Sequence, residues 1–442
     1  MLGYYLELAT RSLRRNIVLT ALMIAAVGVG IGASMTMMTT LRVMSRDPIP
    51  DKSSVLFAPQ IDSAGPSIGP SYTTGWLPDQ LTYRDAMAFM QAKMGVRQTA
   101  MYAVGMDLEP PVGRAFDVSG RAVFADFFTM FEAPFANGAP WSAQDDEGRA
   151  NVVVLGSKLA DRLFPRINPV GRTLTLNGRE YRIVGVLVDW NPVPKFFDTN
   201  SSGTAFANTE DFFIPFTNAI VRQLDTSGNL NCAAMPPAGW EGQLSSNCVW
   251  LQFWIELPNR AAARNFHNFL YNYAAQQRRS GRWQWPPRVA LQDVNEWLIR
   301  ERVVPSQVRA NTLIGLGFLI VCLINAIGLM LAKFGSRQSE LGVRRALGGS
   351  RTDIFLQCLT ETAVIGLLGG ILGLGLTSLG LAVDRALLAP GANGVQLDRL
   401  THIDGGMLAI ILAVAVAATV CAGLYPTWRA SRVHPAWQLK AQ

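Results

Sequence analysis

The residues able to do chemistry are few here, and their spacing argues for contact rather than catalysis. The three histidines, His267, His402 and His434, stand far apart, with no Cys or His spacing suited to zinc. No G-x-x-x-x-G-K-[ST] run exists to cradle nucleotide phosphates, and no G-x-S-x-G elbow to raise a serine nucleophile. The reading is therefore no catalytic residue, no metal and no cofactor in this chain. What remains is mechanical. Glu340 and Arg344 form an i,i+4 pair with the acid on the N-terminal side, the better orientation on a helix. Val343, Ala346 and Leu347 make an apolar stripe beside that pair, suited to seating in a groove of a partner. The competing reading is an amphipathic helix that lies on lipid headgroups, held there by Arg344 and Arg345.

These residues need a short helix to position them. Ser336 to Leu347 is predicted to form it, stopped by Gly348-Gly349. Ser350 can cap the next helix, with Asp353 three residues on as in a capping box. On either side lie the apolar runs Asn311–Ala332 and Thr362–Val383, and two more occupy Asn16–Leu41 and Gly405–Trp428, all without a charged residue. Each is long enough to cross a hydrocarbon core of about 30 Å as a helix of about 20 residues. At 26 residues the first exceeds a signal-peptide core, and no A-x-A site follows it.

The expected organisation is an interfacial helix at 1–15, a first span at 16–43, an inserted domain at 44–305 and a second span at 309–332. A loop with the short helix follows at 333–353, then a third span at 355–383, a loop at 384–404, a fourth span at 405–427 and a tail at 428–442. The fold class is thus an α+β membrane protein, with four transmembrane helices and a large α+β domain between the first and second.

Charge orients it. Segments on the side of the N-terminus hold eleven basic residues (Arg11, Arg14, Arg15, Lys333, Arg337, Arg344, Arg345, Arg351, Arg429, Arg432 and Lys440) against four acidic ones (Glu7, Glu340, Asp353 and Glu361). By the positive-inside rule this side is cytoplasmic, with both termini, and the inserted domain is exported. The flanks account for the whole net charge of +7, so the basic balance gives no reason to invoke nucleic acid. Arg42 and Arg46, just outside the first span, count mildly the other way. Residues 1–15 are expected to lie on lipid through Tyr4, Tyr5, Leu6 and Leu13. Gly28/Gly32 and Gly30/Ser34 in the first span, and Gly369 and Gly373 among the glycines of the third, suit close helix packing, or are glycines tolerated in any membrane helix.

In the inserted domain, 47–75 reads as loop or edge structure and Tyr83–Lys93 as a helix. Asn151–Leu155 reads as a strand, Lys158–Phe164 as a helix, and Thr173–Leu176 and Tyr181–Leu187 as strands joined at Asn177-Gly178. Asp211–Phe216 and the alternating Val249–Glu256 are further strands, and Asn259–Arg279 a helix. Val289–Leu291 is a last strand, and Val294–Arg309 runs helically into the second span. Cys232 and Cys248 are alone on the exported side, which predicts a disulfide around a loop at 225–247; two buried thiols are the alternative. Nine of eleven tryptophans fall between Trp76 and Trp297, as core or as an aromatic-lined surface.

Residue by residue, Glu340-Leu341-Gly342-Val343-Arg344-Arg345-Ala346-Leu347-Gly348 resembles the cytoplasmic loop of the MacB/LolC/FtsX-type ABC permeases. Gly423 to Arg432 followed by Pro435 resembles that family's closing segment, although Thr427 and Trp437 depart from it. Val123, Phe127, Phe128, Val152–Leu155, Leu163, Phe164, Pro169–Gly171, Gly178, Tyr181 and Val184–Val186 resemble the family's periplasmic core domain. The resemblance implies a permease subunit of the bacterial inner membrane whose coupling helix docks a separate ABC ATPase, itself a dimer that binds the ATP and Mg. It also implies a second permease copy or paralogue, mechanical transmission to the periplasmic side, and efflux with a periplasmic adaptor and an outer-membrane channel. Lipoprotein extraction and FtsX-like signalling are the alternatives within the same family.

Overall fold

A computed structural model describes residues 2–63, 77–110, 113–199, 205–387 and 405–432. The loop expected at 384–404 lies mostly outside these residues, as do His402, His434, Trp76 and most of the tail. The chain forms two compact units, one helical and one built on Ser45–Val303.

In the helical unit, α1 (Leu2–Arg15) leads into α2 (Ile17–Met44). Among the described residues four helices are long and apolar enough to cross a membrane, and α2 is the first. The chain's three remaining long helices belong to the same unit and are given below in chain order. Leu13 of α1 departs from the expectation for lipid contact. With Ala9 and Ser12 it is buried, and it joins a core with Met23, Phe334 and Leu341. The hydrophobic stripe of an amphipathic helix is satisfied equally by lipid and by protein, and at Leu13 protein takes it.

In the second unit, β1 (Leu56–Ile61) falls in the stretch expected as loop or edge structure, and lies next to the edge strand of the sheet. It pairs with β9 only at Leu56 and Phe57, so Pro59, which cannot donate to a ladder, sits beyond that contact. Then come α3 (Tyr83–Ala92), capped by Thr82, β2 (Arg97–Glu109) and β3 (Phe116–Val123). α4 (Asp126–Met130), β4 (Phe135–Gly138), α5 (Ala143–Glu147), β5 (Val152–Leu155) and α6 (Ser157–Leu163) follow. β6 (Thr173–Leu176) and β7 (Arg179–Leu187) form a hairpin whose turn residues Asn177 and Gly178 both take positive φ (46° and 69°). β8 (Phe212–Pro215), α7 (Phe216–Val221), α8 (Trp240–Ser245), β9 (Gln252–Glu256), α9 (Arg260–Arg279), β10 (Val289–Asp293) and α10 (Val294–Arg300) complete the unit.

The strands make one sheet in the order β10-β1-β9-β2-β3-β8-β5-β7-β4, with β6 pairing β2 and β7. Most pairs are antiparallel; β3–β8 and β5–β7 are parallel. Each face has its own core. Along β9, Phe253 and Ile255 enter one core and Trp254 the other, so alternation here separates two buried faces and not a wet from a dry one. Phe127 holds the second core together, with ring centroids of Phe131, Phe213, Phe197 and Phe128 at 4.9, 5.3, 5.4 and 5.5 Å. Of the eight described tryptophans of this unit, five lie in its two cores and three are half-buried. A buried charge cluster crosses the same sheet. Arg121 donates to Glu210 at 2.7 Å and to Asp198, and Lys195 lies 3.4 Å from Glu210. Burial raises the Glu210 carboxyl, but Arg121 and Lys195 outweigh it and hold the group below its ordinary range.

The exit from this unit is not continuously helical. α10 ends at Arg300, and the chain turns through Pro305 before α11 (Ser306–Gly335), because proline is at home at a helix start and not within one. Beyond α11 come α12 (Gln338–Ala346), α13 (Arg351–Leu387) and α14 (Gly405–Ser431). The loop expected at 333–353 holds its short helix, and only its ends differ: Lys333 belongs to α11 and Arg351–Asp353 to α13. α14 continues past Pro426, taking the start of the expected tail into the helix.

Candidate functional site at the arginine-rich end of the helices

α12 hangs between α11 and α13 and shows two different faces. Leu341 and Gly342 are buried, Leu341 in the core that also holds Phe334, Ile354 and Cys358. On the other face Val343 is 55% and Leu347 83% exposed, with Ala346 exposed between them. The helix ends because Gly348 takes a φ of +104°, a conformation that glycine reaches without a steric penalty, while the Gly349 N–H donates to the Arg344 carbonyl at 3.1 Å. α13 then begins on a reciprocal cap. The Ser350 N–H donates to Asp353 at 3.0 Å, and the Asp353 N–H to the Ser350 hydroxyl at 3.1 Å.

Glu340 sets the orientation of α12. It accepts from Arg344 at 3.0 Å, from Arg337 at 3.1 and 3.3 Å, and from Arg15 of α1 at 3.1 Å. Partial burial raises its carboxyl; the Arg337 hydrogen bond and charge, joined by Arg344 and Arg15, overcome this and hold it below the usual range. Arg344 also donates to Gln357 of α13 at 2.9 Å, and Arg345 is half-buried.

Sequence reading missed the centre of this cluster. Glu361 of α13 and Lys333 of α11, each 1% exposed, form an ion pair inside the unit. Ser12 donates to Glu361, and Arg337 reaches both Ser12 and, at 3.5 Å, Glu361. In the sequence Lys333 and Glu361 count only as flank charges at the ends of apolar runs. The one available signal was that opposite charges closed both runs on the same side. Among the described residues no group of three His, Cys, Asp or Glu side chains could hold a metal ion.

The packing glycines fall at helix crossings. A Cβ on Gly28 would meet Leu372 at 2.8 Å, and one on Gly32 would meet Leu376 at 2.7 Å. Reciprocally, a Cβ on Gly369 would meet Val27 at 2.6 Å, and one on Gly373 would meet Ile31 at 2.9 Å. The α2–α13 contact is thus built from small residues on both sides. In the other unit Cys232 and Cys248 are joined, with Cα atoms 4.2 Å apart, beside a bridge between Asn231 and Val249.

The family described as MacB-like periplasmic core domain matches residues 20–262, more than half of the chain, and the FtsX-like permease C-terminal family matches residues 312–435. The macrolide export ATP-binding/permease protein MacB of Rhodospirillum rubrum is 28% identical, over 100% of this chain and 60% of that protein. Its namesake in Agrobacterium fabrum is 26% identical over 73% of this chain and 43% of its own. The pyoverdine export ATP-binding/permease protein PvdT of Pseudomonas syringae pv. tomato is 24% identical over 72% and 42%. The chain therefore spans about half the length of these relatives. The crystal structure of the periplasmic region of MacB from Actinobacillus actinomycetemcomitans is similar at 12% identity and a TM-score of 0.37, covering 58% of this chain and 95% of that one.

Proposed function

Because the chain belongs to the MacB-like, FtsX-type family of ABC permeases, we propose that it is the membrane subunit of a transporter whose ATPase is a separate chain. α12 is the coupling helix, and the ATPase binds the ATP and Mg. The observation that carries this reading is an apolar stripe, Val343, Ala346 and Leu347, left exposed on a helix whose other face is buried and ion-paired. A helix meant only to lie on headgroups needs no such rigid anchoring. Closing of two ATPases would drive the arginine-rich ends of a permease pair together, and α2 and α11, between which the inserted domain lies in the chain, would carry that movement to it in the periplasm. Cargo is handled there, with an adaptor and an outer-membrane channel, and the relatives' names make a macrolide the first cargo to try.

Replacing both Val343 and Leu347 with Asp tests the seat directly. These side chains touch little of the permease itself, so the double variant should reach the membrane at normal levels. It should lose permease-stimulated ATP hydrolysis by tenfold or more in the recovered complex. Replacing Glu340 and Arg344 with Ala should do the same through α12's orientation. Full stimulation in both variants would remove the coupling-helix assignment.

A further inference from the structure

Two carboxylates tie the N-terminal helix to α12. Ser12 of α1 sits inside a closed ring. Its hydroxyl donates to Glu361, it accepts from Arg337, and Arg337 also reaches Glu361 at 3.5 Å. Lys333 of α11 completes the charge balance on Glu361. The second tie is Glu340, which holds Arg337 and Arg15 of α1 together at 3.1 Å each. Four segments of the chain thus meet at two acidic side chains.

Burial of an ion pair is an expensive way to join helices. Apolar side chains of similar volume hold such a contact as well or better, and the best-attested return from buried charge is a unique register. Register is what α12 needs, since it buries only two residues of its own. On that ground, and resting on the proposal that α12 is the coupling helix, we infer that α1 is a further member of the coupling unit and that Glu361 is its positioning residue. α1, α12 and the adjoining ends of α11 and α13 move as one body, so displacement of α12 by the ATPase moves the N-terminal helix with it.

Hydrogen exchange on the full-length permease in lipid nanodiscs tests this without any ATPase. Ser12→Ala combined with Arg15→Ala cuts both ties on the α1 side and leaves the Lys333–Glu361 pair intact. Amides of α1 and of α12 should both exchange at least tenfold faster, with α2 and α14 unchanged. Unchanged exchange in α12 would overturn the inference. Glu361→Gln strands Lys333 and should lower the melting temperature as well. Lys333→Met added to Glu361→Gln should restore that temperature but not the slow exchange, which separates positioning from mere stability; restored exchange would make Glu361 structural only and overturn its role.

In the complex with the ATPase, the Ser12/Arg15 variant should lose stimulated hydrolysis several-fold, and retained stimulation overturns the functional half of the inference. Failure of the coupling-helix reading has a separate signature. Leu347→Cys in the otherwise unaltered chain would then fail to crosslink to the ATPase, while the linked exchange of α1 and α12 would persist.

Discussion

The helical unit and the inserted domain solve the same packing problem with opposite materials. Between α2 and α13 the contact surfaces are glycines, and any Cβ placed at Gly28, Gly32, Gly369 or Gly373 would fall within 3 Å of a neighbouring side chain. In the inserted domain the space is filled by rings, with Phe127 alone in contact with Phe128, Phe131, Phe197, Phe213 and Trp190. In lipid the tails are as apolar as the side chains, so helices gain from close backbone approach and little from bulk. In water, burying large apolar area is the driving force. One part of the molecule should therefore be damaged by adding atoms and the other by removing them.

Phe127→Ala should break the aromatic side of this contrast with the largest effect. Truncating a fully buried phenylalanine costs about 3–5 kcal/mol, and thermal unfolding of the full-length chain should show the loss in the transition of the inserted domain. Gly369→Leu should act next, at about 1–3 kcal/mol of overpacking, and in the helical unit. Gly317, whose added Cβ would meet nothing within 4 Å, is the matched control and should tolerate Leu. If both glycines respond alike, the close α2–α13 contact does not govern the bundle.

The smallest effect is a slope that sharpens the contrast by reading the inserted domain alone. Burial pushes Asp146 up to about 6, against the lowering hydrogen bonds from the Ala125 N–H and the Trp141 ring. The folded state therefore holds this proton more tightly than the unfolded chain, whose carboxyl titrates near its ordinary value of about 3.9. The stability it contributes is complete below about pH 4 and is lost as pH rises through about 6, by no more than about 1.4 kcal/mol per pH unit for a single proton. The melting temperature of the wild type minus that of Asp146→Asn should fall between pH 4 and pH 6 and stay level above. A level difference throughout would place Asp146 in contact with solvent.

The same contrast explains what the sequence reveals. The four spans, the glycine faces and α12 were legible because each is written locally, in an uninterrupted apolar run, a four-residue spacing or an i,i+4 pair. β2 was not legible. Residues Gln98–Val104 are buried on both sides, so neither alternation nor a uniform aliphatic run marks them. β1 was hidden by its proline and by the loop-like composition around it. The Lys333–Glu361 pair lay out of reach for another reason. Each charge alone looks like an ordinary flank residue, and only the side-by-side packing of α11 and α13 joins them. Arg121 with Glu210 and Asp198 is the same case in the sheet, where side chains far apart in sequence meet only through strand order. Polar groups that meet across elements leave little local trace.

The first and last strands of the inserted domain are neighbours. β1 and β10 run antiparallel with five residue pairs in register, from Phe57 opposite Asp293 to Ile61 opposite Val289. The strand by which the chain enters this sheet therefore lies beside the strand by which it leaves. A load shared equally by the chain segments before and after the domain would carry the two strands as a single rod, with no work done between them. A load on one segment alone would slide the strands along each other, and the five pairs would resist at once, as a lap joint does, rather than opening one at a time like a zipper. A strand pair of this kind passes on common motion and filters out difference. It also lets a large domain be gained, exchanged or enlarged at one point of a membrane protein without disturbing the helices that carry it.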